Sequence, residues 1–372
     1  MDLVIVGAGF YGSVIAERLA TFGLKVCIFE KRSHIGGNSY SEIDSETGIE
    51  VHKYGSHIFH TSNELVWKYV SRFTEFNKYR HTVWTTFKGN SYSMPINLNT
   101  INSFYDVNLR PHQVPDFIAA EISREKITTP KNLEEKAISL VGRPLYEAFI
   151  KGYTIKQWEK KPTELDADII TRLPVRHNYN NRYFNDKYEG IPLQGYGKVF
   201  ERMLDHPNIE VKLNADFFDA KDNLGEIPIV YSGPIDRFFD YKYGILDWRT
   251  IDFERSVYDT SDYQGCTVMN YADESIPYTR IHEFKHYHPE RKSSNSTILF
   301  KEFSRIAKNT DSPYYPVNTP RNAKLLNKYV NDAASLKNVT LGGRLGEYRY
   351  LDMDKTIERA LATADKLKAE LR

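Results

Sequence analysis

A glycine-rich turn near the start of the chain has the spacing of a dinucleotide-binding site. Gly7, Gly9 and Gly12 follow the apolar run Leu3–Val6 and open a segment with the apolar spacing of a helix. Glycines there permit a tight turn and let backbone N–H groups at a helix N-terminus approach a pyrophosphate. Glu30 closes the next apolar run, near the spacing of about 20 residues typical of the acid that binds ribose hydroxyls. The pattern predicts FAD or NAD, with glycines serving only helix–strand packing as the alternative.

A second glycine pair favours FAD. It is formed by Gly36 and Gly37, in the run from Lys31 to Asn38 that directly follows Glu30. Such a pair offers another place where backbone can approach a long dinucleotide, and NAD enzymes do not usually carry one at this position. The acid at Glu30 also suits a free 2′-hydroxyl, which argues against NADP.

Two nearby histidines, His57 and His60, raise the question of a metal site. No cysteine or carboxylate cluster accompanies them in the sequence, and zinc sites usually need such a set of ligands. We therefore predict no metal.

Composition and charge exclude several classes of protein. The chain of 372 residues has 50 Lys plus Arg against 49 Asp plus Glu, a net charge of +1, so no overall field attracts nucleic acid or an anionic membrane. Two cysteines, Cys27 and Cys266, make no disulfide framework and indicate a reducing compartment. No apolar run reaches the roughly 18 residues of a membrane span, and no signal-peptide pattern precedes the first strand. We expect a cytoplasmic protein that binds any polyanion locally.

The elements that must position these residues follow two kinds of pattern. The first 30 residues read as a βαβ unit, and GYGKVFERML, IEVKL and IPIVYSG resume that alternation. Residues from about 98 to 158 have mostly helical spacing. Antiparallel strands are predicted for HTVWTTF, SYSMP, DFERSVY, GCTVMNY, PYTRIHEFKHY and STILFKEF. Further helices are predicted at about 62–76, 320–336 and 354–371, and NVTL is a short strand.

These patterns predict an α/β protein with three domains: a doubly wound, Rossmann-like FAD domain, an inserted helical bundle and an antiparallel sheet domain. We expect the FAD domain to be discontinuous. The boundaries are 1–78, 196–240 and 322–372 for the FAD domain, 98–172 for the helical domain, and 79–97, 173–195 and 241–321 for the sheet domain. The segment ELDADIITRLPVRHNYNNRYFNDKYEG has no sustained period and is predicted to be a mobile loop.

A series of motifs along the whole chain resembles the bacterial UDP-galactopyranose mutases. They are, in order, VIVGAGFYGSVIAERLA, YGSHIFHT, KGYTIKQW, ITRLPVRHNYNNRYFND, SGPIDRFF, PYTRIHEFKH, PYYPVN and GGRLGEYRYLDMD. The first is shared with many flavin oxidases, whereas the later ones are specific to the mutases. The resemblance implies the three domains above and a homodimer. One departure is Ser56, because the usual YGPH of the family reads YGSH here.

The resemblance also implies an activity. The family interconverts UDP-galactopyranose and UDP-galactofuranose for surface polysaccharides, and N5 of the reduced flavin attacks the anomeric carbon and releases UDP. NAD(P)H or another reductant would then serve only to activate the flavin. A flavin amine oxidase and a non-catalytic protein like the GDP-dissociation inhibitors are the alternatives.

The substrate residues implied by the resemblance surround UDP and the sugar. Arginine suits the diphosphate because its planar guanidinium forks onto phosphate oxygens. The candidates for the diphosphate are Arg172, Arg249, Arg280 and Arg344, with the hydroxyls of Tyr183, Tyr314 and Tyr315. Uracil is assigned to Phe149, Tyr153 and Trp158, with a helical-bundle core as the alternative, and Tyr348 and Tyr350 flank the sugar and flavin.

The remaining roles concern catalysis and the cofactor. Arg172, Arg280 and His60 are the catalytic candidates, with Arg172 on a loop that closes over the substrate and His60 beside the isoalloxazine. The cofactor residues are Gly7, Gly9, Phe10, Gly12, Glu30, Lys31, Gly36, Gly37, Asn38, His57, Gly343, Arg344, Tyr350, Asp352 and Met353.

Overall fold

The computed structural model describes residues 1–170, 175–291, 294–308 and 311–371. The strands are β1 Leu3–Val6, β2 Val26–Phe29, β3 Ser41–Ile43, β4 Glu50–His52, β5 Phe59–Thr61, β6 Val83–Phe87, β7 Asn90–Met94, β8 Tyr188–Gly190, β9 Ile209–Lys212, β10 Ile229–Tyr231, β11 Trp248–Tyr258, β12 Val268–Tyr271, β13 Arg280–Glu283, β14 Thr297–Ile306, β15 Tyr315–Pro316 and β16 Val339–Leu341. The α-helices are α1 Phe10–Thr21, α2 Glu64–Val70, α3 Leu98–Tyr105, α4 Val114–Ser123, α5 Leu133–Val141, α6 Arg143–Leu145, α7 Gly152–Trp158, α8 Gly195–Leu204, α9 Phe217–Ala220, α10 Ile235–Phe238, α11 Pro320–Ala333, α12 Gly343–Gly346 and α13 Met353–Glu370. A π-helical turn, Tyr146–Lys151, joins α6 to α7.

A parallel sheet carries the glycine turn. Its strand order is β16-β10-β1-β2-β9, with every neighbouring pair parallel. The central strands are short, continuous apolar runs because both faces of the sheet are covered. Helices α1, α8 and α13 pack together on one side. The carboxyl ends of β1 and β2 therefore open onto a crevice, where ligands of such sheets bind.

A second sheet places charged residues opposite one another. Its order is β15-β11-β14-β13-β12-β6-β7, and all pairs are antiparallel except β12 with β6. The register of β13 and β14 sets Arg280 opposite Glu302, and that of β12 and β13 sets Asn270 opposite Arg280. This register decides which side chains meet at the site below.

The segment between the sheets is helical. Helices α3, α4 and α5, α6 and the π-helical turn enclose a separate apolar core that includes Leu98, Ile101, Val114, Ala137 and Leu145. Helix α7 packs on β14 of the antiparallel sheet, and its last residue, Trp158, packs against the helical core. The end of the helical segment thus meets the sheet directly.

The parallel sheet, the helical segment and the antiparallel sheet confirm the predicted fold class, but several predicted elements differ in extent. The predicted strand PYTRIHEFKHY ends at Glu283 and continues as a 3₁₀ turn, Phe284–Tyr287. Phe284 and Tyr287 lie one 3₁₀ turn apart and are both buried in the same core, so packing favours the turn over the strand. The helix predicted at 62–76 covers only Glu64–Val70. The predicted domain boundaries remain predictions.

The segment predicted to be a loop, residues 164–190, has a short 3₁₀ helix at Ala167–Ile170 and ends in β8. Residues 171–174, which include Arg172, lie outside the described residues. The predicted mobility of the segment and the role of Arg172 remain predictions.

Two glycines of the first turn serve different purposes. A Cβ on Gly12 would lie 2.0 Å from the carbonyl oxygen of Gly7 and 2.9 Å from Cγ2 of Ile5. A Cβ on Gly9 would meet nothing nearer than the Cα of Gly37 at 3.8 Å. Gly12 is therefore required for close packing of α1 on β1, whereas the fold itself leaves room for a methyl group at Gly9.

We expect Gly12→Ala to lower the melting temperature of the cofactor-free protein by several degrees. The clash is with backbone that cannot move freely, and it outweighs the gain of roughly 1 kcal/mol in helix propensity. Gly9→Ala is the matched control and should melt within a degree or two of the unchanged protein. Equal melting temperatures for the two variants, measured by circular dichroism, would contradict this assignment.

Candidate active site

One large cavity lies where the two sheets and the helical segment meet. Its volume is about 1140 Å³, above the range of roughly 300–1,000 Å³ typical of a site for one small ligand. Its wall includes Gly7 and Gly9 of the glycine turn, Tyr153 of α7 and Arg280 of β13. The cavity is large enough for two adjacent ligands.

The glycine turn forms a wall without side chains. Gly7 has φ +97° and a Cβ there would stand 2.4 Å from the Ser232 hydroxyl oxygen. Gly37 has φ +57°, and its Cβ would lie 3.2 Å from the Cα of Gly9. Phe10 and Gly36 line the cavity beside them. Bare backbone at the N-terminus of α1 is what close approach of a pyrophosphate requires, so the residues fit a dinucleotide.

Glu30 is buried and holds the turn together. Its two carboxylate oxygens accept hydrogen bonds from the backbone N–H groups of Ala8 and Arg32, each at 2.9 Å. An ionised carboxylate has about four acceptor positions, so two N–H groups leave capacity for ribose hydroxyls. Lys31 also lines the cavity, where burial, followed by the nearby charge of Arg32, lowers its pKa.

The sequence analysis missed Arg32. Its Nη2 donates to Asn38 Oδ1 at 2.8 Å and to Ser312 Oγ at 3.2 Å, and its guanidinium lies over the Tyr54 ring at 4.3 Å. Arg32 and Asn38 both line the cavity. The position of Arg32, two residues after Glu30, was the available signal.

The end of the chain completes this part of the cavity. Gly343 follows the last strand with φ +74°, and its Cβ would lie 3.2 Å from the ring of Tyr11. Asp352 is the N-cap residue of the 18-residue helix α13, and Met353 begins that helix. Arg344 lies over the ring of Tyr350, 5.8 Å from its centre. All five predicted residues, Gly343, Arg344, Tyr350, Asp352 and Met353, line the cavity.

Aromatic residues dominate another part of the wall. Tyr153 and Trp158 of α7 line the cavity, as does Phe149 of the π-helical turn. Phe149 also packs edge-on against Tyr92, with ring centres 4.9 Å apart, and is part of the helical core. Phe149 therefore belongs both to the helical core and to the cavity wall.

The tyrosines predicted to contact the substrate at Tyr183, Tyr314, Tyr315 and Tyr350 all border the cavity. The rings of Tyr315 and Tyr350 are stacked with centres 5.7 Å apart. Tyr314 and Tyr315 both reach the wall, so the structure brings both neighbours to the same place. Phenolic hydroxyls can donate to phosphate oxygens.

Arg280 is paired with a buried carboxylate. Its Nε lies 3.0 Å from Glu302 Oε1, and the side chain of Glu302 is only 2% exposed. Burial alone would raise the pKa of Glu302, but Arg280 and then His282 outweigh burial and lower it. Burial likewise opposes the charge of Arg280, and Glu302 raises its pKa well above the usual value. Both groups are therefore ionised, and both residues line the cavity.

The same carboxylate reaches the turn that contains Ser56. Glu302 Oε2 accepts from His282 Nε2 at 2.9 Å, and Ser56 Oγ lies 2.5 Å from His282 Nδ1. Because the ionised Glu302 requires a proton on Nε2, the Ser56 hydroxyl donates to Nδ1. A proline at this position, as in the usual family motif, has no such donor.

The two histidines considered for metal binding have separate partners. His60 Nδ1 lies 2.8 Å from Asp186 Oδ2, and the His60 ring stacks on Phe184. His57 Nδ1 contacts the carbonyl oxygen of Gly55 at 2.7 Å, and burial lowers its pKa to about 4. Among the described residues, the only group of three or more whose metal-ligand atoms lie within 4.8 Å of one another is Asp262, Glu283 and His286.

Of the predicted site residues that the structure describes, three are absent from the cavity wall. Gly12 packs under the turn, as described above. Arg249 is fully buried and its guanidinium contacts Glu159, Ser304 and the carbonyl of Trp158. The hydroxyl of Tyr348 donates within a different core, to the carbonyl of Asp247 at 2.5 Å. The predicted direct contacts of these three residues with ligands stay predictions; in this structure Arg249 supports the end of α7 through Trp158 and Glu159.

Other polar residues of the wall were not predicted. Glu302, Asn270 and Asp186 line the cavity, but only strand register and long-range contacts bring them there. Asp186 ends the motif ITRLPVRHNYNNRYFND, but no local pattern marks Glu302 or Asn270. Within the described ranges, no helix combines the length and apolar character needed to cross a membrane.

Comparisons with known proteins agree with this geometry. A family model described as UDP-galactopyranose mutase matches residues 148–350, and one for an NAD(P)-binding Rossmann-like domain matches residues 5–73. A probable UDP-galactopyranose mutase of Klebsiella pneumoniae is 47% identical over 98% of this chain and 94% of its own length. A dTDP-fucopyranose mutase of Escherichia coli is 44% identical over 97% of each chain.

A solved structure of reduced UDP-galactopyranose mutase has the same fold, with a TM-score of 0.75, 17% identity, and coverage of 99% of this chain and 96% of the other. The match in sequence favours this family over the amine oxidases and GDP-dissociation inhibitors considered above. With a family model over more than half of the chain and relatives aligned over nearly all of it, the chain belongs to the UDP-galactopyranose mutase family.

Proposed function

We propose that this protein is a flavin-dependent isomerase that interconverts UDP-galactopyranose and UDP-galactofuranose. The observation that carries the proposal is a single cavity whose wall contains both the glycine turn and the group formed by Tyr153, Trp158 and Arg280. The first suits a dinucleotide and the second a nucleoside diphosphate. We further propose that the protein acts in the cytoplasm, as a homodimer.

FAD would be held by the residues of the glycine wall. Gly9 and Gly37 leave backbone for the pyrophosphate, and Glu30 offers carboxylate oxygens to the ribose. When bound and reduced, the flavin supplies an electron-rich nitrogen nucleophile for the anomeric carbon of the sugar. The protein binds, orients and shields the reactants.

The protein's own contribution to bond cleavage centres on Arg280. Breaking the anomeric bond leaves negative charge on the diphosphate, and a fixed guanidinium stabilises that charge without reorganising. Glu302 holds Arg280 from its Nε side, so the guanidinium is oriented before substrate binds. Arg172 is proposed to act with it on the strength of the sequence motif.

The direct test is to incubate dithionite-reduced protein anaerobically with UDP-galactofuranose and to separate the products by chromatography. We expect UDP-galactopyranose to form without consumption of reductant, and the oxidised protein to be inactive. Oxidised protein of equal activity, or one reductant used per product, would contradict the proposal. A parallel assay with dTDP-fucofuranose addresses the second candidate substrate, because the E. coli relative is named for dTDP-fucopyranose.

The purified protein should carry non-covalent FAD, visible as a flavin absorbance band. Gly9→Val should remove the band, because a branched side chain would fill the path of the pyrophosphate. Ala119→Val, on the exposed face of α4, is the control, since Ala119 lies outside the cavity wall. A flavin content unaffected by Gly9→Val would place the cofactor elsewhere.

Arg280→Ala should lower kcat/KM by on the order of 10²–10³ with unchanged flavin content, since it removes one electrostatic donor. Arg280→Lys should recover only part, because lysine keeps the charge and loses the fork. The same pattern is expected for Arg172→Ala and Arg172→Lys. Arg305 of β14, which pairs with Asp252 and lies outside the cavity wall, provides the control Arg305→Ala. Near-normal kcat/KM for Arg280→Ala at low substrate concentration would end the assignment.

A further inference from the structure

Helix α7, which carries Tyr153 and Trp158, is tied to the antiparallel sheet through Lys156. Lys156 Nζ donates to the carbonyl oxygens of Tyr271 at 2.6 Å, Asp273 at 2.8 Å and Tyr278 at 3.1 Å. An ammonium group has three N–H donors, and here three backbone carbonyls receive them. Burial lowers the pKa of Lys156 to about 8, which leaves the group mostly charged at neutral pH.

The three carbonyls belong to one connection, which leads into Arg280. Tyr271 is the last residue of β12, and Arg280 is the first residue of β13. Tyr278 precedes Arg280 by two positions. Lys156 therefore bonds to both ends of the segment that delivers the arginine to the cavity wall.

A close backbone contact at Gly152 also attaches α7 to the β12–β13 connection. Gly152 lies one helical turn before Lys156 and thus on the same face of α7. A Cβ on Gly152 would stand 2.3 Å from the carbonyl oxygen of Ala272 and 3.1 Å from the backbone nitrogen of Glu274. Only glycine lets α7 approach the connection this closely. The helix is thereby fixed to it at two points.

The far end of α7 is fixed independently. Ser304 of β14 donates to the carbonyl of Gln157 at 2.9 Å, and Arg249 donates to Glu159 at 2.6 Å. These contacts fix the end of the helix to β11 and β14. Lys156 and Gly152 add the attachment of α7 to the β12–β13 connection, which leads directly into Arg280.

We propose that Lys156 is a positioning residue that fixes Tyr153 and Trp158 of α7 relative to Arg280. The two aromatic residues can then hold the base of a nucleoside diphosphate while Arg280 holds its diphosphate. Tyr153, Thr154, Gln157 and Trp158 line the cavity, whereas Lys156 acts from behind them. The base and the diphosphate are covalently linked, so a displacement of about 1 Å between their two binding groups prevents both from being satisfied. This inference rests on the proposed function, because it takes the base to lie at Tyr153 and Trp158.

The test measures the affinity of the oxidised, flavin-loaded protein for UDP by calorimetry. Lys156→Met, which keeps the length of the side chain and removes its donors, should weaken UDP binding at least tenfold. Lys156→Arg should recover part of the affinity, since a guanidinium also donates to carbonyls. Lys160→Met, which removes a lysine just beyond α7, should bind UDP within twofold of the unchanged protein.

Flavin content and kinetics separate positioning from a general loss of structure. We expect Lys156→Met to keep its FAD and to raise KM for the UDP-sugar in line with the weaker UDP binding, with kcat within about threefold, as for an interaction made equally in the ground and transition states. Unchanged UDP affinity of a folded Lys156→Met, or equal losses of FAD and UDP, would overturn the inference. If Lys156→Met does not fold, Lys156→Gln takes its place with the same criteria.

A double-mutant cycle tests the route of the effect. Because Lys156 is proposed to act through the aromatic wall, Lys156→Met should cost much less UDP affinity in a Trp158→Ala background than in the unchanged protein. Full additivity of the two substitutions would contradict the inference. Failure of the unchanged protein to bind UDP would instead refute the proposed function, so the two failures are distinguishable.

Discussion

The ion pair between Arg280 and Glu302 is the interaction on which the cavity depends. A carboxylate buried as deeply as Glu302 costs several kcal/mol unless it is paired and hydrogen-bonded. Arg280, His282 and Thr279 supply these partners, the last through its hydroxyl at 3.2 Å from Glu302 Oε1. In return, Glu302 fixes a positive charge in the wall of a protein whose net charge is only +1. A diphosphate bound as proposed would therefore meet a guanidinium that is already held in place.

The charge of Arg280 can act on a ligand in the cavity only if the elements that form the cavity wall keep their relative positions. The parallel sheet provides the glycine turn, the antiparallel sheet provides Arg280, and α7 provides Tyr153 and Trp158. Each comes from a region with its own apolar core. Polar contacts between the regions, such as the hydrogen bonds of Lys156 to the β12–β13 connection, hold the parts of the wall around one cavity.

Site residues could be predicted from the sequence where a single short segment fixes their relative positions. The glycine turn and Glu30 could be predicted because spacing within one βαβ unit fixes their positions. Arg249 and Arg280 both stood in motif-like contexts, yet one is buried behind α7 and the other lines the cavity. The difference is set by strand register and by contacts with residues far along the chain, which local patterns do not encode. The same holds for Glu302, whose role depends on the pairing of β13 with β14.

The central claim is that the dinucleotide and the nucleoside diphosphate occupy adjoining parts of one cavity. Titration of the flavin-loaded protein with UDP, followed through the visible absorbance of the flavin, tests this most directly. The account predicts a saturable change in the flavin spectrum at one UDP per chain, and its loss in Arg280→Ala. Binding of UDP that leaves the spectrum unchanged, or that persists unaltered in Arg280→Ala, would contradict it.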